Sequence, residues 1–381
     1  MMLYRLSTGD EVHRYKKSIV VTFEGKRKVI STSPFNGGYR EDLNSVFNHD
    51  INPGAGMECK LKAPTYEEHM YLVAEELGLN PKKTAGISTA ASMDNVSIKT
   101  ERYRDITVTA IVTGGIEVNA GRVGDPTTLY ENQGKFETIK AGTINIILVI
   151  DADLTPGAIT RAVVTCTEAK TAAIQELLEG SKYSRGIATG SGTDGTIIVS
   201  NSKSKVKLTE AGKHTKLGEL IGLAVKAAVK EALFFQTGLS PKLQHSVLRR
   251  TKRFRVNEDI IWDKYIDIVT EYEEILMKPQ FIHNLHTIDT IDELVTLTSL
   301  YVHLLDQLDW ELLSTREVTK EGEIILKRII DIFNIDMKEP LLDNIKKKSI
   351  DDVVEVMIDK LIEVLAVISG KFCIKDKYLE G

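Results

Sequence analysis

The sequence predicts an α/β or α+β core, built on a buried mixed sheet with flanking helices, followed by an all-α C-terminal domain. Two observations support this fold class. A long apolar strand runs directly into a helix over residues 142–177, which is typical of a buried sheet covered by helices. From Asn257 onward glycine nearly vanishes, and Ile, Leu and Val recur at helical spacing.

Composition excludes several classes of protein. With 381 residues the chain can form two domains, and its net charge of −5 argues against a general nucleic-acid binder. It has no apolar run long enough to span a bilayer, and its N-terminus lacks the apolar centre of a signal peptide. A soluble, cytoplasmic protein is therefore expected. The three cysteines, Cys59, Cys166 and Cys373, are too scattered to predict a metal site or a disulfide framework.

The N-terminal segment predicts two short strands and a polar turn. Residues 18–23 and 28–32 are rich in β-branched residues, and residues 24–26 fit a hairpin turn between them. After the second strand, Asn36, Gly37 and Gly38 give the backbone high conformational freedom. Because the residues that follow are too polar for a core, this turn is either a plain connection or part of a binding loop.

A helix, two strands and a second polar loop come next. Thr65 and Glu68 form a capping box, which predicts a helix start. Residues 84–91 and 104–112 predict strands. The loop at residues 113–126 holds four glycines. Its polar side chains are Glu117, Asn119, Arg122 and Asp125. So many hydrogen-bonding groups on flexible backbone are uncommon in a simple connection, so this loop is a candidate binding segment.

The central strand and helix carry the strongest structural signal. Ile144–Ile150 is almost entirely apolar, so this strand is expected to be buried on both faces. Thr155 can cap the following helix, and Pro156 suits its first turn. One face of that helix is an apolar stripe that includes Cys166. A second face, which could look onto a cleft, carries Arg161, Thr165 and Glu168.

Two further polar segments follow. The first consists of Thr189, Gly190, Ser191, Gly192, Thr193 and Asp194. Its backbone N–H groups could form an anion-binding nest, although a strand follows this loop where the phosphate-binding fingerprints have a helix. The second contains Lys213 and His214 at the start of another helix. It is not a P-loop, because His interrupts the Lys–Thr pair.

The C-terminal part predicts helices separated from the core by a basic segment. The predicted domains are residues 1–238, a basic linker or connecting helix at 239–256, and residues 257–381. Helices are expected at about 257–277, 290–313, 320–334 and 349–368. His283 and His286 form an isolated pair near a predicted turn, and two histidines alone are a weak metal signal.

Taken together, the polar loops resemble the adenosylcobinamide amidohydrolase family. Six blocks match in one order: KVISTSPFNGG, TAGISTAA, VTAIVTGGIEVNAGRVGD, GTINIILVIDADLTPGAITRAVVTCTEAKTAAIQEL, ATGSGTDGTIIVS and GKHTKLGELIG. They cover roughly residues 26–237, and the helical region after about residue 250 lies outside them. The resemblance implies salvage of incomplete corrinoids. Such an enzyme hydrolyses the amide that joins an aminopropanol arm to the corrin ring and releases adenosylcobyric acid.

Amide hydrolysis needs an activated nucleophile, donors for the oxyanion and a proton for the leaving amine. The residues expected to be catalytic are His214, Asp194 and Glu117. In this hypothesis His214 is the general base and one of the two carboxylates is its partner. The nucleophile stays open, because the hydroxyls of Ser191, Thr189 and Thr193 or an activated water could each serve.

A corrinoid is large and rimmed with amides, so the hypothesis requires a wide cleft lined by amide-pairing groups. The residues expected to bind it are Asn36, Gly37, Gly38, Asn119, Thr143, Asn145, Thr189, Gly190, Ser191, Gly192, Thr193 and Lys213. No metal or other cofactor is predicted, and neither a nucleic acid nor a membrane is expected as a partner. Assembly into a homo-oligomer stays open.

Two other functions stay open at this point. The same glycine-rich loops could belong to a non-catalytic corrinoid- or nucleotide-binding protein, in which the nest holds a phosphate or an adenosyl group. The basic segment and the helical tail could also form an interaction module.

Overall fold

The computed structural model describes residues 1–54, 61–126, 131–132, 135–136, 143–269, 275–337, 342 and 349–372. The chain divides into two compact units, Met1–Ser240 (unit 1) and Pro241–Gly381 (unit 2). Of the residues discussed above, Cys59, Cys373 and Gly142 at the start of the central stretch lie outside the described residues.

Unit 1 contains the strands of two main sheets and three α-helices within its described residues. In chain order the elements are β1 (Met2–Arg5), β2 (Glu11–Tyr15), β3 (Ser18–Thr22), β4 (Arg27–Ser31), β5 (Gly38–Arg40), β6 (Ser45–Asp50), α1 (Tyr66–Glu76), β7 (Thr84–Thr89), β8 (Ser97–Tyr103), β9 (Ile106–Gly115), β10 (Ala120–Gly121), β11 (Glu131–Asn132), β12 (Lys135–Phe136), β13 (Thr143–Ile150), β14 (Asp153–Leu154), α2 (Pro156–Glu176), β15 (Gly190–Ser191), β16 (Gly195–Asn201), β17 (Lys207–Leu208) and α3 (Lys216–Thr237).

The two main sheets mix parallel and antiparallel neighbours. The five-stranded sheet has the order β1-β2-β3-β6-β7, and the six-stranded sheet has the order β5-β4-β16-β13-β9-β8. Strands β6 and β7 are parallel, and β13 is parallel to β16 but antiparallel to β9. The predicted core with a buried mixed sheet and flanking helices is therefore confirmed.

Unit 1 has four layers, in the order helix, sheet, sheet, helices. Met70 and Val73 of α1 pack with Phe47 on one face of the five-stranded sheet. The other face of that sheet packs on the six-stranded sheet. The apolar layer between the two sheets includes Val12, Ile19, Val21, Val46, Ile87, Ile111, Ile147, Val149, Ile197 and Val199. Helices α2 and α3 cover the remaining face of the six-stranded sheet.

Strand β13 lies inside this arrangement as the sequence predicts. All of its residues are buried. Ile147 and Val149 contact the five-stranded sheet, whereas Ile144 and Ile146 contact α2 and α3, because successive side chains of a strand point to opposite faces. The predicted helix start is also confirmed, since the Thr155 side chain accepts a hydrogen bond from the Ala158 backbone N–H in the first turn of α2.

The predicted hairpin between residues 18–23 and 28–32 is wrong. Both strands form, as β3 and β4, but they belong to different sheets. Arg27, which is 2 % exposed, fixes this crossing because its guanidinium pairs with Asp10 at 2.6 Å and donates to Asn201 at 3.0 Å. Strand β4 pairs with the nearby β5 on one side and with β16, about 170 residues later, on the other, so the turn pattern before β4 could not reveal the change of sheet.

The six-stranded sheet has two edges that matter for function. At one edge β13 and β16 begin while β4 and β9 end, as the pairs Asn145–Gly195 and Thr143–Gly115 show. This is called the Asp194 edge. At the opposite edge β13 and β16 end, and the segment 202–215 leads into α3. This is called the His214 edge.

Unit 2 is helical in its described residues. Its helices are α4 (Val247–Thr251), α5 (Glu258–Ile268), α6 (Lys278–Ile288), α7 (Asp292–Asp309), α8 (Thr315–Ile332) and α9 (Ile350–Lys371). Val247 and Val256, from the segment predicted as a basic linker, belong to the core of this unit. Within the basic run, Arg253 is nearly buried and pairs with Asp306. The described helices of the chain include none with the length and hydropathy needed to cross a bilayer.

Two helix predictions for unit 2 need correction. The helix expected over 257–277 ends at Ile268 in α5, and residues 270–274 lie outside the described residues. The second concerns His283 and His286, which belong to the helix α6; the turn expected near them follows at residues 289–290. No helix was predicted over 278–288, although Phe281, Leu285 and Ile288 are spaced as one buried face.

Candidate active site

Five of the six sequence blocks bring polar segments to the Asp194 edge. They are the segment after β4, the end of β7, the loop after β9, the start of β13 and the loop before β16. The Thr32 backbone N–H, in the segment after β4, donates to the carbonyl of Thr196, which follows the loop before β16. The Ser88 carbonyl, at the end of β7, accepts a hydrogen bond from Asn145 Nδ2 of β13 at 2.8 Å. Segments that are far apart in sequence therefore meet at one place.

Asp194 is the centre of the loop before β16. Its Oδ1 accepts hydrogen bonds from the Ile144 backbone N–H at 3.0 Å and from Ser191 Oγ at 2.6 Å. Its Oδ2 pairs with the ammonium of Lys170, and the Ser191 backbone N–H lies 3.1 Å from the same oxygen. An ionised carboxylate has about four acceptor positions, so these four donors occupy it.

The glycine-rich sequence of this loop has a physical reason at two positions. A Cβ on Gly190 would collide with the Asp194 carboxylate and approach Lys170 Nζ to 2.7 Å. A Cβ on Gly195 would come within 2.7 Å of Asn145 Oδ1. Gly192, at the loop tip, has open space around it. The glycines therefore make room for a carboxylate and an amide of the protein itself.

This geometry bears on the expected anion-binding nest. The Ser191 N–H group, which belongs to the proposed nest, donates to Asp194. The anion that this N–H group holds in the structure is thus a side chain of the same loop. An external phosphate could therefore bind to the predicted nest only after the hydrogen bond between the Ser191 N–H and Asp194 had opened.

The hydroxyl groups of this loop are bonded within the protein. Thr143 Oγ1 donates to the Thr193 carbonyl at 2.7 Å and contacts the Thr193 hydroxyl. Thr189 Oγ1 accepts a hydrogen bond from the Val123 backbone N–H at 2.9 Å. Three of the predicted substrate-binding residues thus also fix the geometry of the loop. Of the hydroxyl groups in this loop, that of Ser191 contacts a carboxylate, which is the side chain of Asp194.

The loop after β9 packs against the Asp194 loop. Strand β10 pairs with β15, which joins Gly121 to Gly190. Asn119 is 1 % exposed, whereas Glu117 is exposed on the same loop. The predicted catalytic carboxylates Glu117 and Asp194 therefore lie in adjoining loops at one edge.

A buried polar cluster lies beneath these loops, between the two sheets. Asn145 Nδ2 donates to Asn48 Oδ1 at 2.7 Å, and Asn48 Nδ2 donates to Thr113 Oγ1 at 2.8 Å. Asn145 is 1 % exposed, and its Oδ1 has no hydrogen-bond partner in the structure. A buried acceptor without a hydrogen bond lowers the free energy of unfolding, so such groups are rare in folded proteins. The Asn145 amide therefore distinguishes this edge from a site at which every polar group is satisfied.

A tyrosine and a serine extend the polar surface. Ser88 Oγ donates to the Tyr66 hydroxyl at 3.2 Å, at the start of α1. Burial raises the pKa of Tyr66 above its ordinary value, so its hydroxyl keeps its proton at neutral pH.

Asn36 and its glycines serve a structural purpose in the segment after β4. The Asn36 amide donates to the carbonyls of Pro81 and Thr84, each at 2.7 Å. A Cβ on Gly37 would collide with the Ser33 carbonyl, and Gly38 has a φ of +77°, which favours glycine. The predicted turn is confirmed, and the amide protons of Asn36 are used within the protein.

A cavity of about 680 Å³ lies beside this segment and α1. It is lined by Pro34, Phe35, Asn36, Gly37, Glu67, Glu68, Tyr71 and Leu72. Its volume falls within the usual range for small-molecule sites, roughly 300–1,000 Å³. Two predicted substrate-binding residues, Asn36 and Gly37, therefore border a space large enough for part of a ligand.

The structure does not bring His214 to Asp194. His214 is exposed and precedes Thr215, the N-cap of α3. The ammonium of Lys216 in the first turn lies 4.6 Å from the ring centroid of Tyr103, at the end of β8 where β9 starts. Strand β16, seven residues or about 20 Å long, runs between the Asp194 loop and the segment that leads to His214.

Of the helix face expected to look onto a cleft, Thr165 is buried, whereas Arg161 and Glu168 are exposed. Thr165 Oγ1 donates to the Ala211 carbonyl at 2.8 Å, and Glu168 pairs with Lys213 at 3.4 Å. This face of α2 therefore holds the segment that precedes α3. Cys166 is fully buried as predicted, and burial raises the pKa of its thiol to about 12, so it is not a thiolate at neutral pH.

Sequence reasoning missed Lys170, Tyr66 and Ser88. Lys170 follows Cys166 by four residues and so continues the buried stripe of α2, which was a signal that this lysine needs a partner. Tyr66 and Ser88 carry no local signal, since their contact depends on the packing of α1 beside β7. Across the described ranges, no group of three or more His, Cys, Asp or Glu side chains is placed to hold a metal ion.

Comparison with known proteins defines the class of this chain. Residues 3–241 match the family model described as adenosylcobinamide amidohydrolase, and the chain belongs to that family. The match covers nearly all of unit 1 and includes every segment at the Asp194 edge.

Two relatives illustrate the range of similarity. An uncharacterized protein of Methanocaldococcus jannaschii is 38% identical over 232 residues, which are 58% of this chain and 87% of that protein. The adenosylcobinamide amidohydrolase of Methanosarcina mazei is 28% identical over 225 residues, which are 57% of this chain and 95% of that protein.

Proposed function

We propose that this protein hydrolyses the amide joining the aminopropanol arm to the corrin ring of adenosylcobinamide, giving adenosylcobyric acid in cobalamin salvage in the cytoplasm. The proposal rests on membership of the family together with one observation. Five separate polar segments meet at the Asp194 edge, where hydroxyl, amide and carboxylate groups converge.

The proposed catalytic centre is Asp194 with Ser191. A nucleophile and its base must lie within hydrogen-bond reach, and a third group commonly orients the base. Ser191 Oγ lies 2.6 Å from Asp194 Oδ1, and the other oxygen of Asp194 pairs with Lys170. Asp194 can take the proton of Ser191 as its oxygen attacks the amide carbon and return it to the leaving amine, after which water hydrolyses the resulting Ser191 ester to the acid. Alternatively, Asp194 takes the proton of a water that attacks the amide directly in place of Ser191. Glu117, on the adjoining loop, is a second candidate for protonating that amine.

Substrate binding is proposed at the same edge. The corrin periphery carries amides, and the exposed Thr193 presents a hydroxyl at this place, with the buried Asn119, Thr143 and Asn145 lying behind it. The cavity beside α1 offers space for a further part of a ligand this large. His214 and Lys213 would contact such a substrate only if it also extended to the opposite edge.

The reaction is tested by incubating the purified protein with adenosylcobinamide and following the corrinoid by mass. We expect a product whose mass corresponds to adenosylcobyric acid, together with free aminopropanol. Adenosylcobyric acid itself, incubated in the same way, is the control and should stay unchanged. Binding of the corrinoid without loss of aminopropanol would instead favour the non-catalytic binding protein.

We also propose that unit 1 is sufficient for this activity, since the family match ends at residue 241. A chain of residues 1–240 should fold and release aminopropanol at a rate close to that of the full chain. A folded but inactive fragment would assign part of the site to unit 2.

A further inference from the structure

We propose that Lys170 is a positioning residue that holds the Asp194 loop in its active geometry. The inference rests on the proposed function, in which Asp194 acts on the substrate amide. Lys170 lies on α2, and its ammonium pairs with Asp194 Oδ2. The two side chains are 11% and 14% exposed, so this ion pair is largely removed from water.

Other ion pairs of α2 differ in burial. Glu176 pairs with Lys226 and Lys230, and these side chains are 37–42% exposed. Taking a pair of charges out of water has a desolvation cost that often cancels their attraction, so burial of a pair is weak evidence for stabilisation. The position of Lys170 is better explained by the geometry that it imposes on its partner.

That geometry determines what the carboxylate of Asp194 can do. With Oδ2 held by Lys170, Oδ1 faces Ser191 Oγ and the Ile144 N–H. Loss of the ammonium would leave the carboxylate able to rotate, because both oxygens could then compete for the same donors. The hydroxyl of Ser191 would no longer have one defined acceptor.

Two neighbouring observations show that the loop is fitted to this lysine. The Cα of Gly190 lies so close to Lys170 Nζ that a Cβ there would approach it to 2.7 Å. Thr171, the next residue of α2, donates to the Thr189 carbonyl at 3.1 Å. Two consecutive residues of one helix therefore contact the beginning and the end of the loop.

The test compares Lys170→Met with Lys170→Arg in the full chain. We expect kcat for adenosylcobinamide to fall about ten- to a hundredfold in Lys170→Met, with KM changed much less, because a displaced catalytic group lowers turnover more than binding. Lys170→Arg keeps the charge and should recover most of kcat. Lys230→Met removes a half-buried lysine of unit 1 that pairs with Glu176 and is the matched control, with kinetics like those of the wild type.

Amide hydrogen exchange provides a readout that does not need activity. The N–H groups of Ser191 and Ile144, which donate to Asp194, should exchange faster in Lys170→Met than in the wild type or in Lys230→Met. If Lys170→Met folds poorly, Lys170→Met combined with Asp194→Asn removes both charges of this pair and allows the same exchange measurement.

Unchanged exchange and unchanged kcat per folded molecule in Lys170→Met would overturn the proposal. Equal losses of kcat in the Met and Arg variants would assign the effect to side-chain volume and would also overturn it. If the wild-type protein releases no aminopropanol, the proposed function fails, and the exchange rates alone then decide whether Lys170 holds the loop.

Discussion

The two edges of the six-stranded sheet both contain buried polar groups, but these groups are satisfied to different degrees. At the His214 edge, Arg27 uses its guanidinium in five hydrogen bonds, including two to Asp10. At the Asp194 edge, Asn145 Oδ1 is buried without a hydrogen-bond partner. The Arg27 network uses all of its donors within the protein and joins the two sheets. The polar cluster around Asn145 leaves one buried acceptor unused.

This difference indicates where chemistry is to be expected. All five guanidinium N–H groups of Arg27 are used within the protein, so this cluster stabilises the crossing of the chain and Arg27 has no donor left for a ligand. An edge with a buried amide, a hydroxyl against a carboxylate and several converging loops is already organised before substrate arrives, which favours catalysis. Lys213 and His214, by contrast, are exposed.

The largest effect is expected for Asp194→Asn. If Asp194 is the base, turnover should fall at least about a hundredfold, the lower end of a typical acid–base contribution. Stability should fall too, because Lys170 would be left buried without its counter-charge. The double variant Asp194→Asn/Lys170→Met removes that penalty and separates the two effects.

Steady-state kinetics and thermal melting of both variants provide the measurement. Recovery of near-normal turnover in the double variant would mean that Asp194 is a structural anchor. The Asp194 edge would then no longer differ from the His214 edge in carrying the catalytic carboxylate.

A smaller effect is expected for Gly190→Ala, with Gly222→Ala as its matched control. The added methyl group at residue 190 collides with the ion pair, whereas residue 222, on α3, has open space. We expect turnover to fall about tenfold in Gly190→Ala, since small displacements of catalytic groups are costly. Gly222→Ala should keep normal turnover, and kinetics on the two purified variants would show equal values if the ion pair were irrelevant.

The five-stranded sheet should respond to pH through His49, which follows Asn48 on β6. Burial, followed by the charges of His69, Lys62 and Lys17, lowers the pKa of His49 to about 4, and Glu76 opposes this shift weakly. The folded protein therefore binds this proton less readily than the unfolded chain does.

The stabilising contribution of neutral His49 is complete above the unfolded pKa of 6.5 and is lost as pH falls toward 4. The total is at most about 3 kcal/mol. Melting temperatures measured between pH 7 and pH 4 should decline, and His49→Gln should show a shallower decline. Identical slopes for the two proteins would assign the pH dependence to other groups.

The smallest effect is expected for His214→Ala. The sequence predicts a general base there, for which turnover would fall by about two to four powers of ten. Its position at the opposite edge leads us to expect less than about a threefold change, as for most exposed residues away from a site. Kinetics of this variant distinguish the two expectations, and a large loss would move the reaction to the His214 edge.

The elements that the sequence predicted well have local causes. The apolar run of β13, the Thr155 cap of α2 and the Thr65 capping box of α1 are each written in consecutive residues. The grouping of polar loops at one edge was less visible. It depends on β13 being parallel to β16 and antiparallel to β9, which no local pattern specifies.

The errors have a common physical origin. The expected hairpin at residues 24–26 was wrong because β4 pairs with β16, about 170 residues later. The expected pairing of His214 with Asp194 stays a prediction; it joins two polar segments that are 20 residues apart in sequence, with the strand β16 running between them. Lys170 was missed because its partner lies in a loop beyond the end of α2.

A crystal structure of the full chain with adenosylcobyric acid, the proposed product, would test the central claim most directly. We expect the corrinoid at the Asp194 edge, with the newly formed carboxylate about 3–3.5 Å from Ser191 Oγ or Asp194, the distance of a reacting pair. A corrinoid bound at Lys213 and His214, with its carboxylate facing the opposite edge, would contradict it.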